Sequence, residues 1–194
     1  MAEVYVFMTD GTEECEALVM VDLLRRANIE TQTVAVPAGD WAEDHAPKRV
    51  HSLHHVDIAC DLALSELPSE TEAVFFVPGG KVGVVNMAAS KDFQAVLQAH
   101  HDAGHRFASV CAGPTVLGGL GLIDDKKATV YPGFESGLGH ATFVDAPIVE
   151  DEGLLTGRGL GVSIPLALAL IEKLRGHAAA EAAAKQIVYE WEQE

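Results

Sequence analysis

The chain has 194 residues and a mass of 20.6 kDa, with 48% hydrophobic and 22% charged residues. This suits one globular domain over residues 1–194 and excludes a disordered chain, a collagen or a disulfide scaffold. With 13 basic against 29 acidic residues the formal net charge is −16, so the basic stripe of a nucleic-acid binder is missing and an anionic membrane surface would repel the protein. No apolar run reaches the ~18 residues of a membrane span, and Met1-Ala2-Glu3-Val4-Tyr5 lacks the basic n-region of a secretory leader. A cytoplasmic location is expected. Three cysteines, Cys15, Cys60 and Cys111, are too few for a disulfide framework and fit a reducing compartment.

Val4 to Met8 is an unbroken apolar run and predicts a buried strand. Turn residues Thr9 to Thr12 follow. Glu13, Glu14 and Glu16 then favour a helix N-terminus, and Arg25 and Arg26 its last turn. Asn28 suits a left-handed cap, and Thr31 to Val36 alternates as a second strand. The opening is therefore β-α-β, the unit of a parallel sheet. Pro37 to Asp57, with four histidines, reads as a loop plus a short edge hairpin, and Leu62 to Glu66 as a short helical turn. Ala73 to Val77 is a buried strand running into Pro78-Gly79-Gly80. A helix capped by Ser90 should run to Ala103 and stop at Gly104, and Arg106 to Val110 is the next strand. Ala128 to Tyr131 and Leu154 to Thr156 read as further strands. Ser163 to Leu174 reads as an apolar helix with Pro165 in its first turn. The alanine-rich stretch from His177 predicts a peripheral helix to about 192. A three-layer sandwich follows, with helices on both faces of a mostly parallel sheet.

Cys111 stands out because it sits between a buried strand and a helix that starts near Pro114. Such a turn holds a nucleophile above the sheet, and helix N–H groups stabilise a thiolate. Small Ala112 and Gly113 let the backbone turn. Gly79 and Gly80 follow their own strand, so they should reach the same sheet edge and offer N–H groups to an oxyanion. One carboxylate of Glu13, Glu14 and Glu16 should also reach that edge, where burial would raise its pKa and make it a proton shuttle. The spacing does not choose among the three. His51, His54 and His55 lack an acidic or cysteine partner at metal-ligand spacing, so no metal site is expected. Gly157-Arg158-Gly159 lacks the lysine of a phosphate loop, but Arg158 can take a carboxylate or phosphate with its planar fork.

Gly11-Thr12-Glu13-Glu14-Cys15-Glu16-Ala17, Val77-Pro78-Gly79-Gly80, Val110-Cys111-Ala112-Gly113-Pro114 and Thr156-Gly157-Arg158-Gly159 occur in this order. Together they resemble the DJ-one family of the ThiJ/PfpI superfamily, over nearly the whole chain. The resemblance implies a flavodoxin-like sandwich, a homodimer and a low-pKa, oxidation-sensitive Cys111. It assigns the partner acid to Glu16 and the site amides to Gly79, Gly80 and Ala112. Arg158, Tyr131 and Arg26 are candidate substrate-binding residues. The activities implied are conversion of glyoxal and methylglyoxal to hydroxy acids, repair of glycation adducts, redox-sensitive chaperoning and, in distant branches, proteolysis. Tyr131 stands where better-known members carry a histidine, and His54 stands where an arginine is usual. The reading is a cofactor-free thiol enzyme for small aldehydes or glycated substrates. A non-enzymatic sensor or chaperone using Cys111 oxidation is the alternative, and a cysteine peptidase ranks last.

Overall fold

A computed structural model describes residues 2–38 and 48–191. The part of the Pro37–Asp57 loop that spans 39–47, and the last residue of the helix expected to reach 192, lie outside the described residues. The chain order is β1 (Val4–Met8), α1 (Glu14–Arg26), β2 (Thr31–Ala35), β3 (Arg49–His51), β4 (Asp57–Ala59), β5 (Leu62–Ala63), β6 (Val74–Val77), α2 (Lys81–Ala89) and α3 (Lys91–Asp102). β7 (Phe107–Val110), α4 (Pro114–Gly119), β8 (Lys127–Ala128), β9 (Thr142–Phe143), β10 (Ile148–Asp151), β11 (Leu154–Gly157), α5 (Ser163–Arg175) and α6 (His177–Gln186) complete it.

Seven strands form the central sheet in the order β10-β11-β7-β6-β1-β2-β5. All pair in parallel except β10, which is antiparallel to β11. Both faces are covered, so the strands read as continuous apolar runs. Along β1 the side chains alternate between two cores. Val4, Val6 and Met8 join Met20 of α1, Leu170 of α5 and Ala184 of α6. Tyr5 and Phe7 join Met87 of α2, Phe93 of α3 and Leu117 of α4. This is the flavodoxin-like three-layer arrangement that the sequence predicts.

Several elements differ from expectation. α2 follows the Pro78-Gly79-Gly80 turn in a stretch to which no element was assigned. Its Gly83 approaches the backbone of the β1–α1 loop so closely that a Cβ would lie 2.8 Å from Thr12 N. β10 was not expected either. The strand predicted for Ala128–Tyr131 is regular only at Ala128. Beyond it, Thr129 N–H donates to the Thr156 hydroxyl and Tyr131 N–H to the Cys111 carbonyl, so the backbone is satisfied outside a ladder. α6 ends at Gln186 rather than near 192. Val188 turns the chain at φ 56°, and Trp191 folds back to stack on His177. α6 is less peripheral than expected, with Ala180, Ala183 and Ala184 buried. The expected hairpin is β3–β4, a separate two-stranded sheet.

Candidate active site

β1 connects to β2 on one side of itself, and the chain later returns to β6 on the other side. The carboxyl ends of β1, β6 and β7 therefore meet at the position where open α/β sheets hold ligands. β7 ends in Cys111, β6 in Pro78-Gly79-Gly80, and β1 in the loop that starts α1 and carries Glu16.

Cys111 occupies the left-handed region at φ 59°. Its N–H donates to the Gly157 carbonyl at 2.9 Å, and its carbonyl accepts from Tyr131 N–H at 2.9 Å. The backbone is thus pinned on both sides of a conformation that non-glycine residues rarely adopt. Gly113 permits the turn, since a Cβ there would lie 2.3 Å from the Val77 carbonyl oxygen. Gly79 is a second close approach. A Cβ on it would lie 2.7 Å from Cys111 Cβ and 2.8 Å from Glu16 Oε2.

The Gly79 N–H donates to Glu16 Oε2 at 2.8 Å. This corrects the expected role of Gly79, because its amide holds the acid and is not available to an oxyanion. The amides of Ala112 and Gly80 face the Cys111 sulfur and favour its ionised form. Glu16 is 1% exposed, and its Oε1 has no hydrogen-bond partner of good geometry among the described residues. Burial pushes its carboxyl up to about 7, against the hydrogen bonds from Cys111 and Gly79. Burial, and then the Glu16 charge, push the Cys111 thiol up to about 12. The expectation of an independently acidic cysteine therefore changes. The two groups form a pair that gives up one proton near 7 and holds the second far higher, since two anions cannot share a dry site. The single charge can sit on oxygen or on sulfur. Of the other thiols, Cys60 is buried and pushed up to about 11, and Cys15 is exposed.

The remaining candidates divide. Tyr131 borders the site through its backbone and packs against Gly159, with its phenol exposed. Arg158 follows β11 next to the elbow, but its guanidinium pairs with Asp145, so it is not a free anion fork. Arg26 lies away from the site within its own chain. It lies ten residues beyond Glu16, roughly 15 Å along α1, and pairs with Asp22 one turn back. Two of the histidines have acidic neighbours in space. His51 meets Asp57 at 2.8 Å, and His54 lies beside Glu13 and Glu14, which come from a different element. Sequence spacing could not reveal that second juxtaposition.

Comparisons with known proteins bear on the family and the fold. The DJ-1/PfpI family matches residues 2–173. The chain belongs to the DJ-1/PfpI family. Drosophila melanogaster protein dj-1beta is 30% identical over 185 residues, 94% of this chain and 95% of that protein. Its crystal structure superimposes with a TM-score of 0.88 at 29% identity, covering 98% of this chain and 100% of that one. Arabidopsis thaliana protein DJ-1 homolog B is 30% identical over 90% of this chain, which spans 38% of that longer protein. A Schizosaccharomyces pombe relative named glutathione-independent glyoxalase DJ-1 is 24% identical over 90% of this chain and 92% of that protein. No helix among the described residues of this DJ-1/PfpI member is long and apolar enough to cross a membrane.

Proposed function

We propose that this DJ-1/PfpI member is a cofactor-free thiol enzyme that converts small reactive carbonyls, such as methylglyoxal, to hydroxy acids. The observation that carries the reading is the apposition of Cys111, on its strand–helix elbow, with the buried carboxyl of Glu16. The name of the distant fission-yeast relative supports the substrate class. Sulfur attacks the aldehyde carbon, forming a C–S bond, and the carbonyl oxygen takes up the thiol proton relayed by Glu16. The Gly80 and Ala112 amides stabilise the oxyanion as it forms. Glu16 then removes the C1 proton and an enediol forms as the ketone oxygen is protonated. Return of the proton to C2 oxidises C1 and reduces C2, leaving a lactoyl thioester. Water hydrolyses the thioester to lactate and regenerates the thiol. A carboxyl that titrates near 7 suits both the acid and the base step.

The same reading includes a homodimer, a cytoplasmic location and repair of early glycation adducts as a related use of the site. A peroxide sensor that uses oxidation of Cys111 is the alternative use of the same pair, whose single charge can sit on sulfur. The test is lactate formation from methylglyoxal. Wild type should show saturable turnover and Cys111→Ser none. Equal rates in the two would defeat the reading.

A further inference from the structure

The β3–β4 loop is tied to the start of α1 by its backbone. Gly11 N–H donates to the His51 carbonyl at 2.8 Å, His51 N–H to Asp10 Oδ1 at 2.6 Å, and Leu53 N–H to the Thr12 carbonyl at 2.9 Å. These bonds hold His54 over the first turn of α1. His54 Nδ1 lies 3.1 Å from Glu14 Oε1 and 3.5 Å from Glu13 Oε2. Donor atoms of all three residues fall within 4.8 Å of one another.

We propose that Glu13, Glu14 and His54 form a site for a divalent cation of the zinc type, separate from the Cys111–Glu16 pair. The first argument is size. Ligands at about 2.0–2.1 Å from a tetrahedral zinc ion are roughly 3.3–3.4 Å apart, and the two nitrogen–oxygen separations bracket that value. The second is a shared partner. Glu13 is only 9% exposed, and its carboxylate has the His54 ring as its ion-pair partner. A single Nδ1 faces two carboxylates, and a cation among the three atoms would bind all of them. The third is a preformed outer shell. The Ser52 hydroxyl and the His54 N–H both hydrogen-bond to Glu14, the kind of support that orients metal-ligating carboxylates. The His54 side chain is 62% exposed in the single chain, which leaves a further coordination position open.

One nitrogen and two carboxylates suit Zn²⁺, Co²⁺ or Ni²⁺ rather than Ca²⁺, which seeks six to eight oxygens. The α1 dipole opposes a cation at this end of the helix, and the two carboxylates act against that. An arginine at position 54 could pair with both acids but could not ligate, so histidine makes the difference.

The experiment is calorimetric titration of the Cys111→Ser chain with Zn²⁺, repeated with Co²⁺ and read by visible absorption. Removing the thiol excludes it as a ligand. One saturable equivalent per chain is expected. His54→Arg should keep the thermal midpoint of the metal-free protein but weaken binding on the order of tenfold or more, and Glu13→Gln should do the same. His55→Gln should bind like the parent. Absence of saturable uptake at millimolar Zn²⁺, undiminished affinity in folded His54→Arg and Glu13→Gln, or equal loss in His55→Gln would each overturn the site. None of these readouts depends on carbonyl turnover.

Discussion

Glu16 differs from Glu13 and Glu14 in which neighbours its carboxyl meets. It turns inward to the Gly79 amide and the Cys111 sulfur, whereas Glu14 turns toward the β3–β4 loop. Glu16→Gln keeps the shape and can still accept the Gly79 hydrogen bond, but it removes the transferable proton. Methylglyoxal turnover should fall by about 10²–10⁴-fold with the fold intact, as measured by lactate release and circular dichroism. In metal-free wild type, kcat/KM should rise with pH through about 7, where the pair loses its first proton. A profile flat from pH 5.5 to 8.5 would remove that pair from the rate. At this scale the sequence was partly legible. Cys111 could be found from its strand–turn–helix context alone, because that signal is local. Glu16 could not be chosen by spacing and was assigned by family resemblance. The Gly79 role differed for the same reason, since what a side chain or amide meets depends on packing between distant segments.

Elements were most legible where hydrophobic periodicity was strong. β1, α1, β6, α3, β7 and α5 follow the apolar pattern closely. α2 was hidden because its apolar residues surround the helix, with Val82 and Val85 exposed and Val84 and Met87 buried, and because Gly83 reads as a breaker. In the structure that glycine is the docking point. α3 carries a testable feature of its own. His100 is buried, stacks on Phe75 at 3.5 Å and hydrogen-bonds to the Arg106 carbonyl. Burial pushes its pKa down to about 4, well below the ordinary 6.5. Between those values the unfolded chain binds more protons, so stability falls as pH drops from 6.5 toward 4. The effect is on the order of 3 kcal/mol at its limit. His100→Gln should lower the urea midpoint at pH 7 yet reduce the loss between pH 7 and 4.5. An unchanged acid slope would show that His100 does not set it.

For the whole molecule, a net charge of −16 favours solubility and leaves association to specific apolar contacts. α1 has an exposed Leu18 on its outer side. Light scattering at micromolar concentration should give twice the 20.6 kDa chain mass, and Leu18→Glu should shift it toward the single-chain value if α1 lies at the two-fold axis. A single-chain mass for wild type would remove the proposed dimer. Global stability also registers the angle at the elbow. Replacing a residue by glycine usually costs about 0.5–1 kcal/mol relative to alanine. At position 111, where the backbone is left-handed, the order should reverse, because a Cβ there costs roughly 1–2 kcal/mol. Cys111→Gly should therefore unfold at the same or higher urea concentration than Cys111→Ala, and both should be inert toward methylglyoxal. A screen that rewarded only thermal robustness would drift toward glycine here and discard the nucleophile. Stability and chemistry pull this one position in opposite directions.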